Sequence, residues 1–304
     1  MTLSLKAWGL MALLALIWGA SFLSIRIALD EMGPFWVVAH RVSWATALLW
    51  AVALATAQAP GSGARLWLAF AGMGLLNNIL PFSLMAWGQL HVETGLTAIL
   101  NAATAIWGVL LAALLLPDER LGAAKAMGVA LGFAGVVTAL GWGNLASFDP
   151  RTLGQVAIVG GTVSYGLAAV WARRRLQGVA PVTAATGMLT TSMVMAIPTA
   201  WAIEGPPAVA LASETWLAIG YFAVVATALA YLIYYRLIAL AGSGNTMLTT
   251  LLIAPVAIVL GAWVRGEALG LNAYAGFGLL ALGLACIARA GARQKALALA
   301  DAPR

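Results

Sequence analysis

WGASFLSIR, Trp18 to Arg26, and YGLAAVWAR, Tyr165 to Arg173, stand 147 residues apart and share an aromatic residue, the glycine after it and a terminal arginine. Further along, Pro34 in GPFWV answers Pro181 in APVTA at the same offset, and Glu119 in LPDERLG answers Glu267 in VRGEALG at an offset of 148. Three matches in order at nearly constant spacing mark an internal duplication. The longest polar stretch, GWGNLASFDPRT at 141–152, falls between the copies and divides the chain into residues 1–146 and 147–304.

The solvent of these halves is set by composition. Of 304 residues, 63% are hydrophobic and 9% charged, with a mean hydropathy of +0.96. A soluble domain carries about 25% charged residues, so the chain reads as an integral membrane protein. A bilayer-crossing helix needs about 20 mainly apolar residues. Ten such runs are expected, at 7–29, 34–57, 65–88, 95–116, 121–141, 153–176, 181–203, 213–239, 244–264 and 270–290. The first has one lysine and small residues near Ala20, like a signal peptide, but nine more runs follow and it reads as a retained span. The fold class is therefore all-α, with ten transmembrane helices in two five-helix repeats. Five is odd, so the second repeat crosses the membrane in the opposite sense to the first. Inverted repeats are an architecture of secondary transporters, whose substrate sites lie near the midplane between the halves.

Orientation follows from loop charge. With the N-terminus in the cytoplasm, twelve Lys and Arg fall on that side and four (Arg26, Arg41, Arg151, Arg265) on the other. The positive-inside rule then puts both termini in the cytoplasm. The net charge of +6 reflects this bias and does not point to nucleic acid. Ten of the thirteen tryptophans lie near span ends, where aromatic belts form. Trp18, Trp44 and Trp107 do not, and an indole N–H at such depth needs a partner or a wet cavity.

The polar residues inside the spans are the candidate site. NNILPF, Asn77 to Phe82, puts two adjacent amides in the middle of span three, and Pro81 frees the carbonyl of Asn77. Burying an unpaired amide costs about 2–7 kcal/mol, so the pair is expected either to bond a neighbouring helix or to line a water-filled cavity. Asn101 shares a helical face with Thr97 and Thr104, as Tyr231 and Tyr234 do with Thr227. Tyr165 is the repeat partner of Trp18. Flat apolar surfaces with polar tips suit an amphiphilic substrate. His40 and Trp44, one turn apart, extend the candidate set, which is Trp18, His40, Trp44, Asn77, Asn78, Asn101, Trp107, Tyr165, Tyr231 and Tyr234. Arg41 has two readings. It holds a carboxylate, or, the reading preferred here, it snorkels to the outer interface and pairs with Asp30 or Glu31. Glu119 and Glu267 are expected to fix the connections beside them. The cavity is expected to be lined by spans 1, 3, 4, 6, 8 and 9, with Pro81, Pro198 and Pro255 as bending points.

What is missing narrows the function. All ten acids fall near span ends, so no buried carboxylate is placed for a proton or sodium relay. No GxxxxGK[ST] motif, HExxH motif or cysteine cluster occurs, and Cys286 is the single cysteine, so neither ATP, a metal nor any other cofactor is expected. A membrane-embedded lipid-modifying enzyme would need a base beside Ser21, Ser24 or Ser164, and none is evident. A purely structural subunit does not call for a polar set at mid-depth. The expected partners are a small-molecule substrate and the lipid bilayer, with the protein a monomer or weak homo-oligomer.

IWGASF (Ile17 to Phe22), GPFWVVAHR (Gly33 to Arg41), LPDERL and VRGEAL, and Pro255 twelve residues before Glu267 together resemble the EamA-type members of the drug/metabolite transporter superfamily. Trp107 stands where that family usually has proline. The resemblance implies ten helices in a bacterial inner membrane and export or exchange of small metabolites. The resemblance also suggests the bacterial branch that exports amino acids, here neutral or aromatic ones. Export of drug-like, amine or nucleoside-like metabolites is the alternative.

Overall fold

The computed structural model describes residues 4–117, 119, 121–141, 149–241 and 249–300, and these form helices with no β-strand among them. The helices are α1 (Leu5–Ala28), α2 (Pro34–Ala55), α3 (Ala64–Gly88), α4 (Thr94–Leu115), α5 (Ala123–Leu140), α6 (Pro150–Arg175), α7 (Pro181–Glu204), α8 (213–241), α9 (Thr249–Arg265) and α10 (Leu271–Ala300). Among the described residues nine are long and apolar enough to cross a membrane, and α9 is a shorter apolar helix of 17 residues. The expected start of the ninth span, at 244–248, and the midpoint stretch 142–148 lie outside the described residues. Helix α10 continues about ten residues past its expected end.

Local chemistry sets the helix ends. Prolines open α2, α6 and α7, where the missing N–H costs nothing. The side chains of Ser4 and Asp149 cap α1 and α6. Glycines with positive φ end α5 and α7: Gly141 at 82° and Gly205 at 76°.

Three helix interiors depart from regular α geometry. In α3 the backbone widens to a π-helical turn over Leu75–Ile79, immediately before Pro81, and the Leu80 N–H reaches back to the Leu75 carbonyl. Helix α8 carries a π-helical stretch over Tyr221–Leu229, at the repeat-equivalent place and without a proline. Helix α4 tightens at Ala102 and Ala103, whose N–H groups bond to Ile99 and Leu100, three residues back. By contrast, α7 and α9 run through Pro198 and Pro255 without interruption. π-turns recur at functional sites because they turn side chains away from the regular register.

The connections α1–α2, α3–α4, α7–α8 and α9–α10 and the start of α6 meet at one end of the bundle. Asp30 bridges Arg26 and Arg265 (2.8 and 2.7 Å), and Glu93 grips Arg151 with both oxygens (2.7 and 2.9 Å). Three carboxylates there seat on helix N-termini of the other half. Glu204 accepts from the Phe35 and Trp36 N–H groups of α2. Glu267 accepts from Thr94 Oγ1 and the Gly95 N–H of α4, and Glu31 accepts from the Ala212 N–H at the start of α8. Anionic groups belong at such termini, where the peptide dipoles leave partial positive charge. Glu267 thus reaches across to α4 as well as standing in its own connection. At the opposite, basic end Glu119 joins Arg173 (2.6 Å) and Lys125 (3.8 Å), Arg174 donates to the Leu115 carbonyl, and Thr183 donates to Gln58 O (2.7 Å).

Helix pairs across the halves follow the duplication. α2 packs on α7 and α5 on α10; α1 meets α9 as α6 meets α4; α3 meets α6 as α8 meets α1. The α5–α10 pair packs against α4 through Ile106 and Trp107. Its backbones touch at Gly135 and Gly276, where a Cβ on either would run into the facing main chain. Small residues allow this approach, the usual basis of helix association in lipid.

Candidate functional site

Between the halves lies a cavity of about 430 Å³, walled by α1, α2, α3, α4, α6, α7, α8 and α9. Solute sites commonly measure about 300–1,000 Å³. Duplicated positions face it from both sides: Trp18, Phe22 and Ile25 on α1, and Tyr165, Ala169 and Ala172 on α6, each pair 147 apart. Two walls were not expected from sequence, α2 through Arg41 and α7 through Met188. A second cavity of about 180 Å³ shares Met73, Ala172 and Met188 with the first and extends to Leu176, Val179 and Pro181 at the α6–α7 connection, on the basic end.

The asparagine pair divides its duties. Asn77 lines the cavity, and its amide nitrogen donates to Asn78 Oδ1 (3.2 Å) and the Tyr231 hydroxyl (3.3 Å). Asn78 is fully buried behind it, donating to Ser192 Oγ of α7 (2.9 Å) while its oxygen accepts from Tyr231 (3.4 Å). Both expected outcomes therefore occur at once: Asn77 meets the open space and Asn78 ties α3 to the other half. Adjacent residues stand about 100° or less apart around a helix, which lets one amide face the cavity and the next a neighbouring helix. Trp18 lines the cavity, donates to the Ala226 carbonyl within the widened turn of α8 (3.1 Å) and stacks on Tyr234 at 5.6 Å. Thr227, Tyr231 and Tyr234 all line the cavity, as the spacing suggested. Asn101 and Thr104 flank the tightened turn of α4 and also line it, whereas Thr97 is buried and bonds back to Glu93 O.

Besides Asn78, three sequence candidates do not reach the cavity. His40 packs between Trp36 and Trp216, at 6.1 and 5.9 Å. Trp44 is 51% exposed on the outer surface of the bundle, where lipid is its natural surround. Trp107 turns to Phe133 of α5 at 4.8 Å, and its indole nitrogen is buried without a partner among the described residues. The sequence does not show which way these side chains turn, because an apolar helix offers no polar face by which to read its rotation.

Arg41 is the residue that the sequence reading misplaced. It does not snorkel, and Asp30 is taken by Arg26 and Arg265. Its side chain points inward, with Nε donating to Thr227 Oγ1 (2.9 Å) and Cζ 3.9 Å above the Phe82 ring. A basic side chain at mid-membrane costs about 2.5–3.5 kcal/mol. A cation–π contact returns about 2 kcal/mol when desolvated, and a hydrogen bond about 1 kcal/mol. The position is thus near balance without a counter-ion. Its clue in the sequence was depth: seven residues into α2 is about 10 Å along the axis, farther than an interfacial arginine needs to be.

An apolar helical bundle around a solute-sized, mainly apolar cavity with a few polar groups and no acid in its wall is the form of a multi-pass membrane protein, and no metal-binding cluster occurs among the described residues. The model of the EamA-like transporter family matches the chain twice, at residues 5–141 and 152–289, and the chain belongs to that family. Related proteins include PagO of Salmonella typhimurium (24% identical, over 86% of this chain and 85% of the relative) and the uncharacterized inner membrane transporter YedA of Escherichia coli K12 (27%, over 87% and 85%). An uncharacterized transporter of Archaeoglobus fulgidus is 26% identical over 74% of this chain and 78% of its own. A crystal structure of a protein 19% identical to this one superposes with a TM-score of 0.65, over 95% of this chain and 98% of its own, a likeness of fold.

Proposed function

We propose that the protein is a secondary transporter that exports or exchanges small amphiphilic metabolites, neutral and aromatic amino acids foremost, by alternating access. In this reading ten helices form two inverted five-helix repeats, residues 1–146 and 147–304, with both termini in the cytoplasm. The single observation that carries it is the cavity between the halves, where amides and phenols at mid-depth face open space beside aromatic rings. The duplicated α1 and α6 walls support the repeat. The bonded acid-rich end and the smaller cavity running to the basic end support a state closed to one side and open to the other. Asn77, Asn101, Tyr165 and Tyr231 would meet polar groups of the solute, and Trp18 and Tyr234 its apolar body. Membership of a family of transporters makes catalysis the weaker reading.

The test is counterflow. Purified protein in liposomes loaded with a candidate amino acid should accumulate the radiolabelled form, and alanine at Asn77 or Asn101 should slow this while insertion stays normal. Absence of counterflow across a broad metabolite panel refutes the proposal.

A further inference from the structure

The cavity wall holds one charged side chain, Arg41, and no Asp, Glu or Lys. A guanidinium has five N–H donors, and only Nε–H is used, toward Thr227. The four donors on the terminal nitrogens have no protein acceptor among the described residues. Among the described residues no acid lines the cavity, and six are engaged elsewhere: Asp30 with Arg26 and Arg265, Glu93 with Arg151, Glu119 with Arg173, and Glu31, Glu204 and Glu267 at helix N-termini. Phe82 holds the guanidinium from one side, with Cζ 3.9 Å from the ring centroid. A planar fork with two terminal nitrogens unengaged matches the two oxygens of a carboxylate.

We infer that Arg41 is the docking point for a carboxylate of the solute, and that the protein carries organic monoanions or zwitterions and rejects amines and other cations. This rests on the transporter reading above and adds the substrate's chemical class. One guanidinium balances one negative charge, which favours a carboxylate over a phosphate dianion. The solute's apolar body would lie against Phe82 and Phe22, towards the stacked Trp18 and Tyr234. For a zwitterion, the ammonium would find the Asn101 amide and the Gln89 Oε1, which has no partner among the described residues. A cationic solute would meet an uncompensated arginine in a low-dielectric space.

The experiment compares matched pairs on the intact protein in detergent. Each probe is a monocarboxylate with an aromatic or branched alkyl body, L-phenylalanine, L-leucine and 3-phenylpropionate among them, set against its own amide. The readout is the rise of the melting midpoint with probe concentration. At least one acid should raise the midpoint at a concentration at which its amide has no effect. Arg41→Gln should weaken the response to that acid at least tenfold, and Arg41→Lys should keep part of it. The inference is overturned if no acid acts, if amides act as well as acids, or if Arg41→Gln responds like the wild type. The acid–amide contrast needs no variant, so a poorly folded substitution does not blunt it. Counterflow of an amine, unaffected by Arg41→Gln, would leave the transporter standing and remove the carboxylate dock. Binding of acids without counterflow of any solute would do the reverse.

Discussion

Glu204→Gln tests the coupling between the closed end of the bundle and access to the cavity. Glu204, at the last turn of α7, places one oxygen 2.9 Å from the Phe35 N–H and the other 3.0 Å from the Trp36 N–H. Helix α2 has no cap of its own, because its N-cap is Gly33. Glutamine keeps the shape of the side chain, but its NH₂ must face one of these two N–H groups. One charge-assisted hydrogen bond is lost, together with the negative charge at the positive end of the helix. A hydrogen bond to a charged group contributes about 1.5–3 kcal/mol and a charge at a helix terminus about 0.3–1 kcal/mol. Since a second neutral bond survives, the net loss is about 2 kcal/mol, or roughly 30-fold in an equilibrium. The contact joins α7 to α2 only at the acid-rich end, so under alternating access the loss falls on conformers closed there. With Cys286 replaced by alanine and a cysteine placed on the cavity wall at Ala105, an impermeant maleimide added from the acid-rich side should react about 10- to 30-fold faster in Glu204→Gln. Reaction from the basic side should not rise. Equal labelling rates in the variant and its parent, with the protein intact, would refute the reasoning.

Other expectations follow from the same contacts. Asn78→Ala removes one hydrogen bond each from Ser192 and Tyr231 across the α3–α7–α8 junction and should cost about 1–2 kcal/mol, read as a drop of several degrees in the detergent melting midpoint. Arg41→Met removes an uncompensated cation and should leave the solute-free protein as stable or about 1 kcal/mol more stable while counterflow is lost; a fall in the midpoint by several degrees would mean that Arg41 serves the fold. His40→Ala and Trp44→Ala should transport within about twofold of the wild type, since neither reaches the cavity. Gly135→Leu should prevent close packing of α5 on α10 and lower the yield of folded protein by an order of magnitude in size-exclusion chromatography.

The place of each residue along its helix was legible from the sequence, and its direction was not. Helix positions followed from the length of apolar runs, and two starts from Pro34 and Pro181, because a bilayer admits a helix only where backbone groups bond internally; the sixth helix begins at Pro150, three residues before its expected start. The duplication, the acids confined to helix ends and the mid-depth set of Asn77, Asn101, Tyr231 and Tyr234 could be read for the same reason: charge and amide at depth are costly and stand out. Tertiary structure alone decided which of these groups face the cavity. Arg41 and Trp44 are three residues apart on one helix, yet one points inward and the other out to the bundle surface. The surround on either side is apolar, so the pattern of hydrophobicity that orients a helix in water is absent. The π-turns of α3 and α8 then rotate everything that follows them, the second with no proline to announce it. Inward or outward in a membrane is settled by what the neighbouring helix offers: here a threonine hydroxyl and a phenylalanine ring that hold a guanidinium where the local sequence has no partner for it.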